Sequence, residues 1–216
     1  MCGDSVAQRE TRKPGAPSGP KRLDTPLSAE CKRLLAHVKQ RCPGLLPRDP
    51  LPAGTVGPEV TLGPAELAPL VRAAADPAQQ ETVVWSLGDS ELQVEVARVS
   101  AHLSRGLVLV SIPVRSEETG RVRIDVPFAV GDNERPAGMF AATERRPRGP
   151  GIITAAWGDA LVAYAWKILL TVAAGIAEDA GRDVDGAGLI PAAIATNGDT
   201  VTVLTQARHG FDRVTR

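Results

Sequence analysis

Aromatic residues are scarce: they make up 3% of the chain, as three Phe, three Trp and one Tyr. A core must therefore be built from Val, Leu, Ile and Ala. Cysteine is almost as rare, with only Cys2, Cys31 and Cys42 and none in the second half. An odd, sparse count excludes a disulfide scaffold and points to a reducing, cytoplasmic setting. No apolar run follows Met1, so no secretory signal is expected. No glycine-rich phosphate loop joins a strand to a helix, and the prolines of "RPRGPG" remove amide donors that a phosphate nest needs. Lysine is rare against Gly, Pro, Ala and Arg, a composition that hints at a GC-rich bacterial genome and says nothing about activity.

What is present is a charge asymmetry hidden under a formal net charge of zero. Residues 1–48 hold ten Lys/Arg against four Asp/Glu, and the remaining chain fifteen against twenty-one, so a +6 arm precedes a −6 body. Such an arm can contact nucleic acid or an acidic protein surface, or simply confer solubility. Its charges are neither dense nor interleaved with aromatics, which weakens the nucleic-acid reading.

The 216 residues suit one domain with appendages. Residues 1–27 are rich in Gly, Pro, Ser and Lys/Arg and are expected to be a disordered basic arm. Residues 28–42, "SAECKRLLAHVKQRC", read as an amphipathic helix with Cys31, Leu34, Leu35, Val38 and Cys42 on one face and Lys32, Arg33, Lys39 and Arg41 opposite. Residues 43–64 read as a Pro/Gly linker and 64–76 as a short helix broken at Pro69. These pieces, 28–78, form either a satellite or a partner-binding arm.

From residue 79 onward an α+β domain is expected. Leu92, Val94 and Val96 alternate with polar neighbours, and the phase then slips near Arg98, which predicts a β-bulge. Residues 107–114 and 121–130 predict an antiparallel pair joined by a loop over 115–120. Pro113 and Pro127 belong at an edge or an irregularity, because neither can donate to a ladder. A short strand is expected within 139–143. Asn197-Gly198 between two apolar runs predicts a type I′ hairpin.

Residues 160–177 carry one charge, Lys167, and approach the length of a membrane span. Their polar residues decide against one. Asp159, Lys167, Thr171 and Glu178 gather, with Ala160, Ala163 and Ala174, in a sector of about 120°, while Leu161, Val162, Ile168, Leu169, Val172 and Ile176 fill the rest. A lysine at a bilayer centre would also cost about 2.5–3.5 kcal/mol. The expected structure is a long helix, 154–178, covering one face of a mostly antiparallel sheet, with no membrane span. A secondary expectation is an oligomer interface along its alanine-rich side.

Three short motifs suggest chemistry. Gly88-Asp89-Ser90 after an apolar run resembles the nucleophile block of GDS-type esterases over three residues. Those enzymes open a helix at the serine and supply a base from an Asp-x-x-His block. Here a strand follows Ser90, and Leu34, Val99 and Gln206 stand three residues before His37, His102 and His209. A serine without a positioned base is a weak nucleophile, so Ser90 is read as a turn residue. "DVDG" at 183–186 imitates an EF-hand centre, but Gly181 and Ala192 stand where its outer ligands belong. Cys31, His37 and Cys42 lack a fourth ligand and a CxxC pair, so no metal or cofactor is expected.

Two polar segments remain as candidates for anion or partner contact. Arg145, Arg146 and Arg148 stand just before the long helix, near its positive end if Thr154 caps it. Arg208, His209 and Asp212 follow the last strand, where His209 and Asp212 could act as an acid–base pair. The leading expectation is a non-catalytic structural or adaptor protein that associates with a protein partner or itself. The alternatives are an anion-binding domain or enzyme using the 144–151 loop with His209 and Asp212, and nucleic-acid contact through 1–48.

Overall fold

The computed structural model describes residues 57–87, 89–131, 140–141, 147–181, 186 and 188–207. The expected arm 1–27 and helix 28–42 lie outside them. The fold is α+β. Strand β1 (Glu59–Leu62), helix α1 (Pro64–Ala75) and strands β2 (Val83–Leu87) and β3 (Ser90–Val94) come first. Strands β4 (Ser100–Ser104), β5 (Leu107–Ser116), β6 (Gly120–Ala129) and β7 (Phe140–Ala141) follow. The long helix α2 (Gly151–Asp179) and the hairpin β8 (Leu189–Thr196) and β9 (Val201–Ala207) complete the order.

Two antiparallel sheets result. One runs β1-β9-β8; the other runs β2-β3-β5-β6-β7, with β4 also pairing β5. They are stitched together at β8. Gly131 N–H donates to Ile194 O and Thr196 N–H to Gly131 O, each at 2.9 Å, while Gly106 N–H donates to Thr196 O at 2.9 Å. Gly106 can do this because it turns the tight β4–β5 corner at φ +66°, a conformation costly for any residue with a Cβ.

Helix α1 begins where its residues dictate. Pro64 stands in the first turn, and the Gly63 N–H donates to the Glu66 carboxylate at 2.8 Å. Pro69 does not break it: the helix runs on to Ala75 at the cost of one backbone donor, with Leu67, Val71 and Ala75 buried. The linker expected over 43–64 is not all linker either. Four of its residues form β1 and pair with β9 from Glu59↔Leu204 to Leu62↔Val201.

Helix α2 starts three residues earlier than expected, behind Pro150. Thr154 is therefore not its cap; the hydroxyl bonds back to the carbonyls of Pro150 and Gly151 inside the first turn. Leu161, Ala165, Ile168, Leu169, Val172 and Ile176 are buried against β5, β6, β8 and β9. The helix is long and apolar enough to cross a membrane, yet 61% of its most apolar eighteen-residue window is buried inside the protein. Ala163 and Ala174 are buried as well, so the alanine-rich side is not an open surface.

Phase slips and prolines resolve as the chemistry requires. Between β3 and β4 the slip is taken up by a 3-10 turn at Val96–Arg98 instead of a single-residue bulge. Pro113 falls opposite this interruption, where its carbonyl accepts from the Glu95 N–H. Asp125 exchanges both backbone bonds with Arg148, so Pro127, two residues on, faces the same side. There the ladder is broken before β7, and no donor is missed. The β8–β9 turn is also longer than a two-residue I′ loop, with Thr196 pairing Val201. The Asn197 side chain accepts from the N–H groups of Asp199 and Thr200, and Gly198 alone takes positive φ.

Candidate functional site

The outward face of the six-stranded sheet carries the chain's organised polar chemistry. Alternation along β5 and β6 sends Val108, Val110, Ile112 and Val114, with Ile124, Val126 and Phe128, into the core. The opposite phase brings Ser100, Ser111 and Asp125 into one row across β4, β5 and β6. Ser111 is buried and donates to Asp125 Oδ1 at 2.6 Å, and Arg123 Nε lies 3.3 Å from the same oxygen. Arg121 pairs with Glu95, which Arg98 approaches at 3.6 Å. His102, on the exposed face of β4, stands 3.4 Å from Ser100.

The hydroxyls of this row are not set up as nucleophiles. The Ser111 proton is committed to a carboxylate, which is a poor base for a hydroxyl. The His102–Ser100 contact is long, exposed and unsupported by a third group. Ser90 opens β3 opposite Leu87 and is exposed, in a tight hairpin turn. Among the described residues no three or more of His, Cys, Asp and Glu gather to hold a metal. A small cavity of about 20 Å³ lies between α1, α2 and both sheets, lined by Leu67, Val130, Leu169, Ile194 and Val203 among others. It is apolar throughout, which keeps such voids dry, so it offers nothing for polar recognition.

Of the residues expected at the two polar segments, Arg148 alone is described. It is exposed, and its backbone bridges Asp125 through two bonds, Arg148 N–H to Asp125 O at 2.8 Å and the return at 2.9 Å. Arg148 is thus the backbone partner of an acidic residue. Arg145, Arg146, Arg208, His209 and Asp212 lie outside the described residues, as do the arm 1–48 and Asp183.

Under the sheet, an aromatic cluster ties β2 to α2. Trp85 lies with its ring centroid 6.5 Å from that of Trp157 and 5.5 Å from that of Tyr164, edge-on to the latter. The Tyr164 hydroxyl donates to the Ala75 carbonyl at 2.8 Å, fastening α1 to α2. Burial, reinforced by the charge of Asp76, pushes the Tyr164 pKa far above its usual value. A pKa raised by folding stabilises the native state below the unfolded value of about 10 and loses that stabilisation as pH rises beyond it. Because Tyr164 is the chain's one tyrosine, its ultraviolet titration reads this directly. Ionisation is expected only together with alkaline unfolding; a reversible step near the free-tyrosine value would contradict the burial.

Comparison with known proteins gives no assignment: no protein-family model, curated protein or solved structure is significantly similar to the chain.

Proposed function

We propose that the chain is a non-catalytic structural or adaptor protein that works within a larger protein assembly, joined through the β2 edge of its sheet. One observation carries this reading. β2 ends the six-stranded order, so one side of Val83–Leu87 has no strand beside it among the described residues. Its sequence, VVWSL, contains no charge and no proline, the usual means of blunting an edge. Val84 and Leu87 are at least half exposed, and so is Ile152 at the start of α2, whose Trp157 underlies Trp85. An open, uncharged edge with apolar side chains accepts another extended chain by continuing the ladder. The outward face, with Arg98 and Arg121 beside Glu95 and Arg123 beside Asp125, offers a polar surface.

The test places a photo-crosslinking residue at Val84 or, as a control on the outward face, at His102, in cells of the host. The expected result is an adduct of one defined mass from position 84 and none from 102, lost when Ser86→Lys charges the edge. No adduct from 84, or equal adducts from both positions, would contradict the reading.

A further inference from the structure

Strands β8 and β9 of the three-stranded sheet are buried on both faces, and the described residues account for one cover. Val201 and Val203 of β9, with Ile194 of β8, point into the main core under α1 and α2. The alternate residues point the other way: Thr202, Leu204 and Gln206 on β9, paired with Ala195, Ala193 and Ile190 on β8. All six are buried, Leu204 being the most exposed at 8%. None of Ile190, Ala193, Ala195 and Leu204 belongs to the core that the helices share with the two sheets. On β1, by contrast, Glu59 and Thr61 of the same face are exposed. The covered patch is thus two strands wide, and within it the Gln206 amide nitrogen is buried without a hydrogen-bond partner.

We infer that this outer face is the docking site of the chain's own segment 28–42, lying across β8 and β9 as a helix. Three observations select that occupant. Gly57 N–H donates to Thr205 O and Thr205 N–H to Pro58 O, so the chain enters the described structure beside Gln206, at the margin of the patch. Only 14 residues, 43–56, separate Cys42 from that point; extended, they span up to about 46 Å. The segment also fits in size and chemistry. Fifteen residues make a helix about 22 Å long and 10–12 Å across, close to the roughly 26 Å length of β8 and the width of two strands. Its apolar stripe of Cys31, Leu34, Leu35, Val38 and Cys42 would meet the patch, leaving Lys32, Arg33, Lys39 and Arg41 outward. Of the other stretches outside the described residues, 132–139, 142–146, 182–185 and 208–216 contribute Met139, Val184, Phe211 and Val214 as their only large apolar residues. Residues 1–27 have only Met1, Val6, Leu23 and Leu27, and 43–56 carries Leu45, Leu46, Leu51 and Val56 among four prolines that bar a continuous helix. Segment 28–42 is on this reading a structural layer of the domain, independent of what β2 binds.

The three native thiols report on this without any engineered label. With a water-soluble maleimide on the native full chain, Cys2 is expected to react at the unfolded-chain rate. Cys31 and Cys42 should be slower by roughly tenfold or more, as groups that react only through local opening. In the full-length double variant Leu34→Asp/Leu35→Asp, which leaves the main core untouched, both should accelerate to the rate of Cys2. A reporter cysteine placed at Leu204, with the native cysteines replaced by serine, should become reactive in that same variant. Equal rates for all three native thiols would overturn the inference. So would a reporter at position 204 that stays protected after Leu34 and Leu35 are charged, because another segment would then be the cover.

Discussion

Ile168→Asp should abolish the folded state. Ile168 sits midway along α2, fully buried among the core residues of both sheets. A carboxylate there would lie among apolar core side chains, and leaving a charge buried and unpaired costs about 3–5 kcal/mol or more. The lost packing of the isoleucine adds to this. Together these approach the whole stability of a domain, about 5–15 kcal/mol. The matched control is Ile168→Val, which removes one methylene and should cost about 0.5–1.5 kcal/mol. Urea unfolding followed by tryptophan fluorescence checks both, since Trp85 and Trp157 report the contact between β2 and α2. An Asp variant that unfolds at the wild-type midpoint would mean that this turn of the helix is not packed on the sheet.

Phe128→Ala is the second large effect. Phe128 is the largest fully buried side chain, opposite Val108 and next to the strand end where β6 meets β8. Truncation leaves a cavity that rigid strands on both sides cannot close, at about 3–5 kcal/mol. For a chain of this size that corresponds to a thermal midpoint lower by roughly 10 °C or more. Because Val130 and Gly131 lie just beyond, the variant should also loosen the β6–β8 stitch, and the Gly131 and Thr196 amides should exchange faster. A change of only a few degrees would show that the joint carries little of the stability.

The sequence announced the helix and the strands well because their patterns have long runs. Eighteen positions with one charge can be buried against a sheet, and the alternation of Val122, Ile124, Val126 and Phe128 admits one inward face. It was less informative where a few residues decide. β1 is four residues between prolines, and only the presence of β9 beside it makes it a strand. The phase slip near Arg98 required an irregularity but did not distinguish a bulge from the 3-10 turn that occurs. The pairing of Ser111 with Asp125 is not legible in the sequence, because a β5–β6 loop over 115–120 implies a different register. The actual turn is 117–119, with Ser116 opposite Gly120, and that register alone puts Ser111 across from Asp125. A loop misplaced by one residue turns a polar pair into a serine facing Ile124. The Gly-Asp-Ser turn, in contrast, was legible, because the alternation after Ser90 leaves no room for a helix.

The candidate contact residues are a different matter. Arg145, Arg146, Arg208, His209 and Asp212 stand out by chemical type, and type does not determine where a loop goes. Arg148, the one described, acquired a carboxylate neighbour through backbone pairing that no motif encodes.

The fold depends on α2 being held by the protein's own sheet. Hydrogen exchange of the full chain in detergent-free buffer, read on peptides covering 157–177, tests this most directly. Protection equal to that of β5 and β6, lost with them in one transition as urea is added, is the predicted result. Rapid exchange of those peptides while β5 and β6 stay protected, or protection gained only when lipid or detergent is supplied, would contradict it.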